Sequence, residues 1–224
     1  MESRLRVFSS SVGTKILIGA TGFALFLYLI VHIVGNLLVF LGRDTFNEYS
    51  HALISNPLVP VIEVGLLLIL IVHVFKTIRM YRDNRQARPV AYVRKKPAGP
   101  PSRKTFSSST MILSGLWLLA FLVIHVKTFK YGPAYESSVP GVHDLYRVEM
   151  ENFTNPLVVG FYVLSMVVVG SHLWHGISSA LQSLGADNET WTPRFLVFGK
   201  LMAVLIASAF IVIAIWAHFA GVRS

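Results

Sequence analysis

The 224-residue chain contains no cysteine. That absence excludes a disulfide framework, thiolate zinc sites and iron–sulfur clusters held by this chain. Any metal must be held by His, Asp, Glu, Met or Tyr. Charge is scarce as well: 14% of residues are Asp, Glu, Lys or Arg, against roughly a quarter in a water-soluble domain. Acidic residues are the scarcer sign, 11 against 20 basic ones, for a formal net charge of +9. The basic excess does not read as a nucleic-acid footprint, because most of it lies in one loop between apolar segments. The polar start MESRLRVFSSSVGTK (1–15) and the long apolar run behind it are not expected to form a cleavable signal.

What the chain has is apolar length, with 54% hydrophobic residues. Crossing a bilayer takes about 20 apolar helical residues. Five stretches qualify: Ile16 to Leu41, Leu58 to Phe75, Thr110 to Val126, Pro156 to Leu181 and Phe195 to Ala220. Only Glu63 interrupts the second and only Lys200 the fifth. Each is too long for a strand, and lipid forbids open sheet edges. The expectation is an all-α integral membrane bundle of five transmembrane helices, one domain over 1–224. The helices are placed at about 14–41, 57–81, 107–130, 155–183 and 193–220, with a basic loop over 82–106.

Orientation follows from Lys and Arg. The segment 76–104 carries ten of them against the single Asp83, and the N-terminal tail adds Arg4, Arg6 and Lys15. The connections after the first and third segments are of mixed sign. The positive-inside rule then puts the N-terminus and the basic loop in the cytoplasm and the C-terminus outside. The Pro-rich run KKPAGPPSRK (95–104) reads as a cytoplasmic strap for anionic lipid or an acidic partner.

Four histidines stand inside four successive apolar segments, one in each: His32, His73, His125 and His172. An ionisable group in lipid is a functional-site hypothesis by default. A neutral imidazole is also a haem ligand. His32 lies 17 residues beyond Lys15 and 11 before Arg43, and His125 lies two before Lys127, so both fall in the outer half. His73 lies three before Lys76, and His172 lies 17 after Asn155, so both fall in the inner half. Two layers result, on the order of 10–15 Å apart along the normal at helical rise. That arrangement suggests two bis-histidine haems. The plainer reading of each single histidine is a hydrogen-bonded packing residue or a proton relay. Diiron chemistry would need carboxylates or histidine boxes on facing helices, and only His172 with His175 approaches one. Those two are about a turn apart, so either could face the interior. His51, His143 and His218 read as solvated or interfacial.

Several segments carry a family resemblance: SSSVGTK with the TG that follows (9–22), VHIVGNLLVFLG (31–42), FNEYSHALISNPL (46–58), LIVHVFKTIRMY (70–81) and SHLWHGISSALQSLG (171–185). With them the chain resembles the membrane-anchor cytochrome b subunit of succinate dehydrogenase and fumarate reductase, in its single-chain, five-helix, two-haem form. The family's fourth-helix ligand stands four residues before a glycine, with a second glycine thirteen on. His172, Gly176 and Gly185 fit that spacing, which favours His172 over His175.

The resemblance implies two haem b groups, the outer on His32 and His125 and the inner on His73 and His172. It implies a flavoprotein subunit and an iron–sulfur subunit as partners, electron transport to or from membrane quinone (menaquinone favoured), and the bacterial cytoplasmic membrane as location. Succinate itself would be handled by the partners, in a reaction of the tricarboxylic acid cycle. Lys76, Arg79 and Lys200 inside, and Lys127 outside, are candidate haem-propionate partners, or snorkelling anchors. Quinone chemistry moves protons with electrons, and Glu48, Tyr49 and His51 in the outer connection are candidate neighbours of that site. Glu63 is a second candidate, or a protonated carboxyl bonded to a neighbouring helix. The alternative functions are a cytochrome b anchor for another respiratory oxidoreductase and a histidine-based proton or ion transporter.

Overall fold

The computed structural model describes residues 10–87 and 105–222, and the fold is a helical bundle. The Pro-rich strap and the basic residues Arg88, Arg94, Lys95, Lys96, Arg103 and Lys104 lie outside the described residues.

Helix α1 (Ser11–Asn36) starts where the Ser10 hydroxyl accepts from the Gly13 amide at 3.0 Å, satisfying one free donor of its first turn. It tightens into a 3-10 turn over Leu37–Leu41 and stops at Gly42, whose φ of 102° suits a residue without Cβ. Helix α2 (Arg43–Ile54) follows directly. Helix α3 (Val59–Gln86) has proline in its first turn, where no amide partner is lost. A single turn, α4 (Phe106–Ser109), is closed by a reciprocal cap between Thr105 and Ser108 and leads into α5 (Met111–Phe129). The Asp144 carboxylate caps α6 (Leu145–Phe153), and the Asn155 side chain caps α7 (Pro156–Ser183). The chain closes with α8 (Trp191–Gly221).

Among the described residues five helices, α1, α3, α5, α7 and α8, are long and apolar enough to cross a membrane. Their exposed surface is apolar in a way water would not tolerate. Helix α3 buries no residue at all, yet Val61, Ile62, Leu67, Leu68, Ile71 and Phe75 are each more than half exposed. Lipid is the solvent that covers such a face without cost. The protein is a multi-pass helical membrane protein.

Three sequence expectations need correction. Helix α3 does not end at 81 but runs to Gln86, so Arg82 and Arg85 stand on a helix, not in the basic loop. Arg, Gln and Met are good helix formers, and nothing breaks the run before Pro89. The start of the third span, expected near 107, is a separate short helix, with α5 beginning at Met111. The connections after the first and third spans, read as loops, fold as the amphipathic helices α2 and α6.

The most extensive interface joins α7 and α8; α1 packs on α3 and α7, and α5 packs on α7. Trp117 on α5 donates its indole N–H to the fully buried Ser165 hydroxyl on α7 at 3.1 Å. Helices α2 and α6 form a cap at one end. Their core joins Val39, Phe46, Met150 and Phe153 to Tyr162, Ile213 and Ala217. The opposite end carries Lys76, Arg79, Arg82 and Arg85 and is termed the basic end below.

The cap is held by a buried carboxylate. Asp144 is fully buried and accepts from the Arg43 guanidinium, from Asn47 Nδ2 at 2.7 Å and from the Arg147 amide at 3.2 Å. Asn47 Oδ1 in turn accepts from the Tyr146 amide at 2.9 Å. Burial works to raise the Asp144 pKa, but the bonds from Arg43, Asn47 and the Arg147 amide outweigh it and hold the carboxyl below its usual value.

Candidate functional site

The alternating direction of the spans sorts the four histidines into two levels. His32 on α1 and His125 on α5 meet at the cap end, edge to face, with ring centroids 5.9 Å apart. His32 stacks on Tyr28 one turn earlier, at 5.6 Å, and also touches Phe210 of α8. His125 lies between Phe121 and Phe129, one turn to either side at 5.5 and 5.2 Å. The Tyr162 hydroxyl stands 3.5 Å from His125 Nδ1. The wall around this pair is therefore largely aromatic.

His73 on α3 and His172 on α7 form the second level, toward the basic end, on two helices that both pack against α1. Their Nδ1 atoms are held from a third and a fourth helix. Thr21 Oγ1 of α1 lies 3.1 Å from His73 Nδ1, and Ser114 Oγ of α5 lies 2.9 Å from His172 Nδ1. A glycine follows each hydroxyl residue. A Cβ on Gly22 would come within 2.9 Å of His73 Cε1, and one on Gly115 within 3.6 Å of His172 Cε1. His175 is half-buried, and its ring makes no cross-helix hydrogen bond among the described residues. His172 is the member of that pair whose ring is held from a neighbouring helix.

The remaining candidates separate by position. Tyr49 reaches the bundle: a methyl at Gly35 would lie 2.6 Å from its hydroxyl, one turn beyond His32. Glu48, the residue before it, is exposed, and His51 is half-buried on the same short helix. Glu63 does not stand inside the apolar interior. It lies near the start of α3 and pairs with Lys130, each side chain 44% exposed. Arg79 pairs with Asp83 one turn on, at 3.8 Å, and Lys76 is half-buried. Lys200 lies over the Trp174 ring at 5.5 Å, which sets it beside the helix turn that bears His172 and His175. Lys127 is exposed at the end of α5. His143 is exposed in the loop before α6, and His218 meets the Phe153 carbonyl through Nδ1 at 2.8 Å.

Sequence reasoning missed two things of consequence. One is the pair of hydroxyls behind His73 and His172; the signal was a hydroxyl–glycine dipeptide, Thr21–Gly22 and Ser114–Gly115, repeated on two spans. The other is Glu149 on α6, 4% exposed and without a hydrogen bond or ion pair among the described residues. Burial pushes its pKa up to about 8.

Among the described residues no group of three or more His, Cys, Asp or Glu is gathered as a metal would need. A structural or catalytic zinc takes at least three protein ligands. Two imidazoles per level suit a metal that brings its other ligands with it, as haem iron does. The chain matches no protein-family model, no curated protein and no solved structure.

Proposed function

We propose that the chain is the di-haem cytochrome b membrane anchor of a succinate:quinone oxidoreductase. It would carry electrons between a cytoplasmic iron–sulfur subunit, joined to a flavoprotein subunit, and quinone in the membrane. The observation that carries this reading is the pairing of four intramembrane histidines, from four helices, into two levels. The cap-end spacing supports it. The His32 and His125 rings, brought together from two helices, meet with centroids 5.9 Å apart.

In this reading His32 and His125 would hold the outer haem, and His73 and His172 the inner one. The haems supply one-electron carriage between the two faces. The chain's residues do the rest. Four rings would fix position, aromatic and aliphatic walls would exclude water, and the Tyr49 hydroxyl, against Gly35 of α1, would hydrogen-bond a quinone carbonyl. Lys76 and Lys200 at the basic end would meet the propionates. The positive-inside rule puts that end in the bacterial cytoplasm, facing the partner subunits. A histidine-based transporter would need carboxylate partners in mid-membrane, whereas Glu63 is tied to Lys130 at the end of its helix.

The test is purification from membranes under mild detergent, followed by reduced-minus-oxidised spectra and haem quantitation. Two haem b per chain, with a flavoprotein and an iron–sulfur protein copurifying, is the expected result. A chain without reduced-haem bands would refute the haem assignment; a haem-bearing chain with different partners would redirect it to another oxidoreductase.

A further inference from the structure

The hydroxyls behind the basic-end pair have only one proton each, and both protons are already placed. Thr21 donates to the Leu17 carbonyl at 2.6 Å, with the Ile18 carbonyl at 3.2 Å. Ser114 donates to the Met111 carbonyl at 3.1 Å. A hydroxyl that donates elsewhere meets a ring nitrogen only as an acceptor. With those protons on the carbonyls, His73 and His172 carry theirs on Nδ1, His73 toward Thr21 Oγ1 and the Ile18 carbonyl and His172 toward Ser114 Oγ. In each ring Nε2 is left with a free lone pair.

We propose that Thr21 and Ser114 are positioning residues that fix His73 and His172 as Nε2 ligands and raise the electron donation of both rings. The proposal rests on the haem reading for its ligand, but its tautomer statement does not. Two different helices use the same device, a hydroxyl whose proton is taken by its own backbone set against a ring Nδ1; beside His73 the following Gly22 also leaves room for the ring edge. The cap-end pair lacks it. The Tyr162 hydroxyl stands at 3.5 Å from His125, and the His32 ring makes no hydrogen bond among the described residues. The two levels are thus chemically unequal. Ligating histidines whose other N–H is held by an acceptor are stronger donors, and losing that acceptor weakens the site. A stronger donor favours the oxidised metal.

The experiment is an optical redox titration of the intact complex with Thr21→Val and Ser114→Ala, beside the conservative Thr21→Ser and Ser114→Thr. The expected result is that one haem shifts toward the reduced form by roughly three- to tenfold in its equilibrium. For a one-electron couple that is about 30–60 mV. The other haem stays put, and the conservative variants return to wild type. Loss of one haem in Thr21→Val that Thr21→Ser restores also supports the role. Unchanged potentials with both haems bound, a shift of both haems alike, or haem loss that serine does not restore would overturn it. If the wild-type chain proves to carry no haem, the parent reading fails separately. Nitrogen NMR of labelled histidine in the same preparation then decides the tautomer. Nδ1-protonated His73 and His172 that become mixed in the two variants support the device, and mixed tautomers in wild type refute it.

Discussion

Replacing Glu149 with glutamine removes a carboxyl that the fold keeps almost wholly from water, at 4% exposure. In the unfolded chain this group ionises near its ordinary 4.5, and in the folded chain burial holds the proton until about pH 8. Between those values the folded state binds more protons, so stability falls as pH rises. The slope is about 1.4 kcal/mol per pH unit, and the full window amounts to roughly 5 kcal/mol. That is a large share of the 5–15 kcal/mol typical of a folded domain. The contribution is complete below pH 4.5 and gone above about 8. Glu149→Gln has nothing to ionise and keeps the neutral shape. Unfolding in detergent, followed by circular dichroism from pH 5 to 9, should show wild type losing stability with pH and the variant staying flatter, more stable than wild type at pH 9. Equal slopes for the two proteins would refute the assignment of a buried neutral carboxyl to this position.

The other predictions concern the cap and the histidine levels. Asp144→Ala strands Arg43 and Asn47 and should cost about 1–3 kcal/mol, with limited proteolysis then cutting near α2 and α6. Because its folded pKa is depressed, the contribution of Asp144 is present at neutral pH and lost as pH falls through that value, so wild type should lose more stability in acid than Asp144→Ala. Glu63→Gln breaks a half-exposed ion pair and should shift stability by less than about 1 kcal/mol; a large loss would mean the pair is not solvated. His172→Ala should lose one haem of two by pyridine haemochrome, while His175→Ala keeps both; the reverse pattern would transfer the ligand role. Gly22→Ala pushes a methyl to 2.9 Å from His73 Cε1 and should disturb the same haem, with the cap-end haem unaffected.

The spans were legible because lipid imposes a length of apolar sequence that few other structures use. The pairing of levels was legible too, since alternating helices turn sequence distance into depth. The cap was not. Helices α2 and α6 bury polar residues among apolar ones, namely Asn47, Ser50 and Glu149 beside Phe46, Val148 and Met150. That blurs the helical period on which such readings depend. The Asp144 clamp joins residues 101 apart in sequence, so no local window contains it. Glu149 sits between Arg147 and Glu151, which pair with each other on the exposed face at 2.7 Å. In sequence it looks like one more member of a solvated charge run, and only the packing of α6 against α8 turns it inward. Tyr49 was visible as a candidate, but its approach to Gly35 depended on the 3-10 turn and Gly42 that fold α2 back on the bundle.

The clamp also has a place in time. Arg43 emerges from the ribosome 101 residues before Asp144, and at 5–20 residues per second that is a wait of about 5–20 s. During it α3 and then α5, with His125, are made, yet α2 has no carboxylate to hold it. The clamp can therefore close only once α5 is complete, and the basic-end pair waits longer still, because His172 emerges after Asp144.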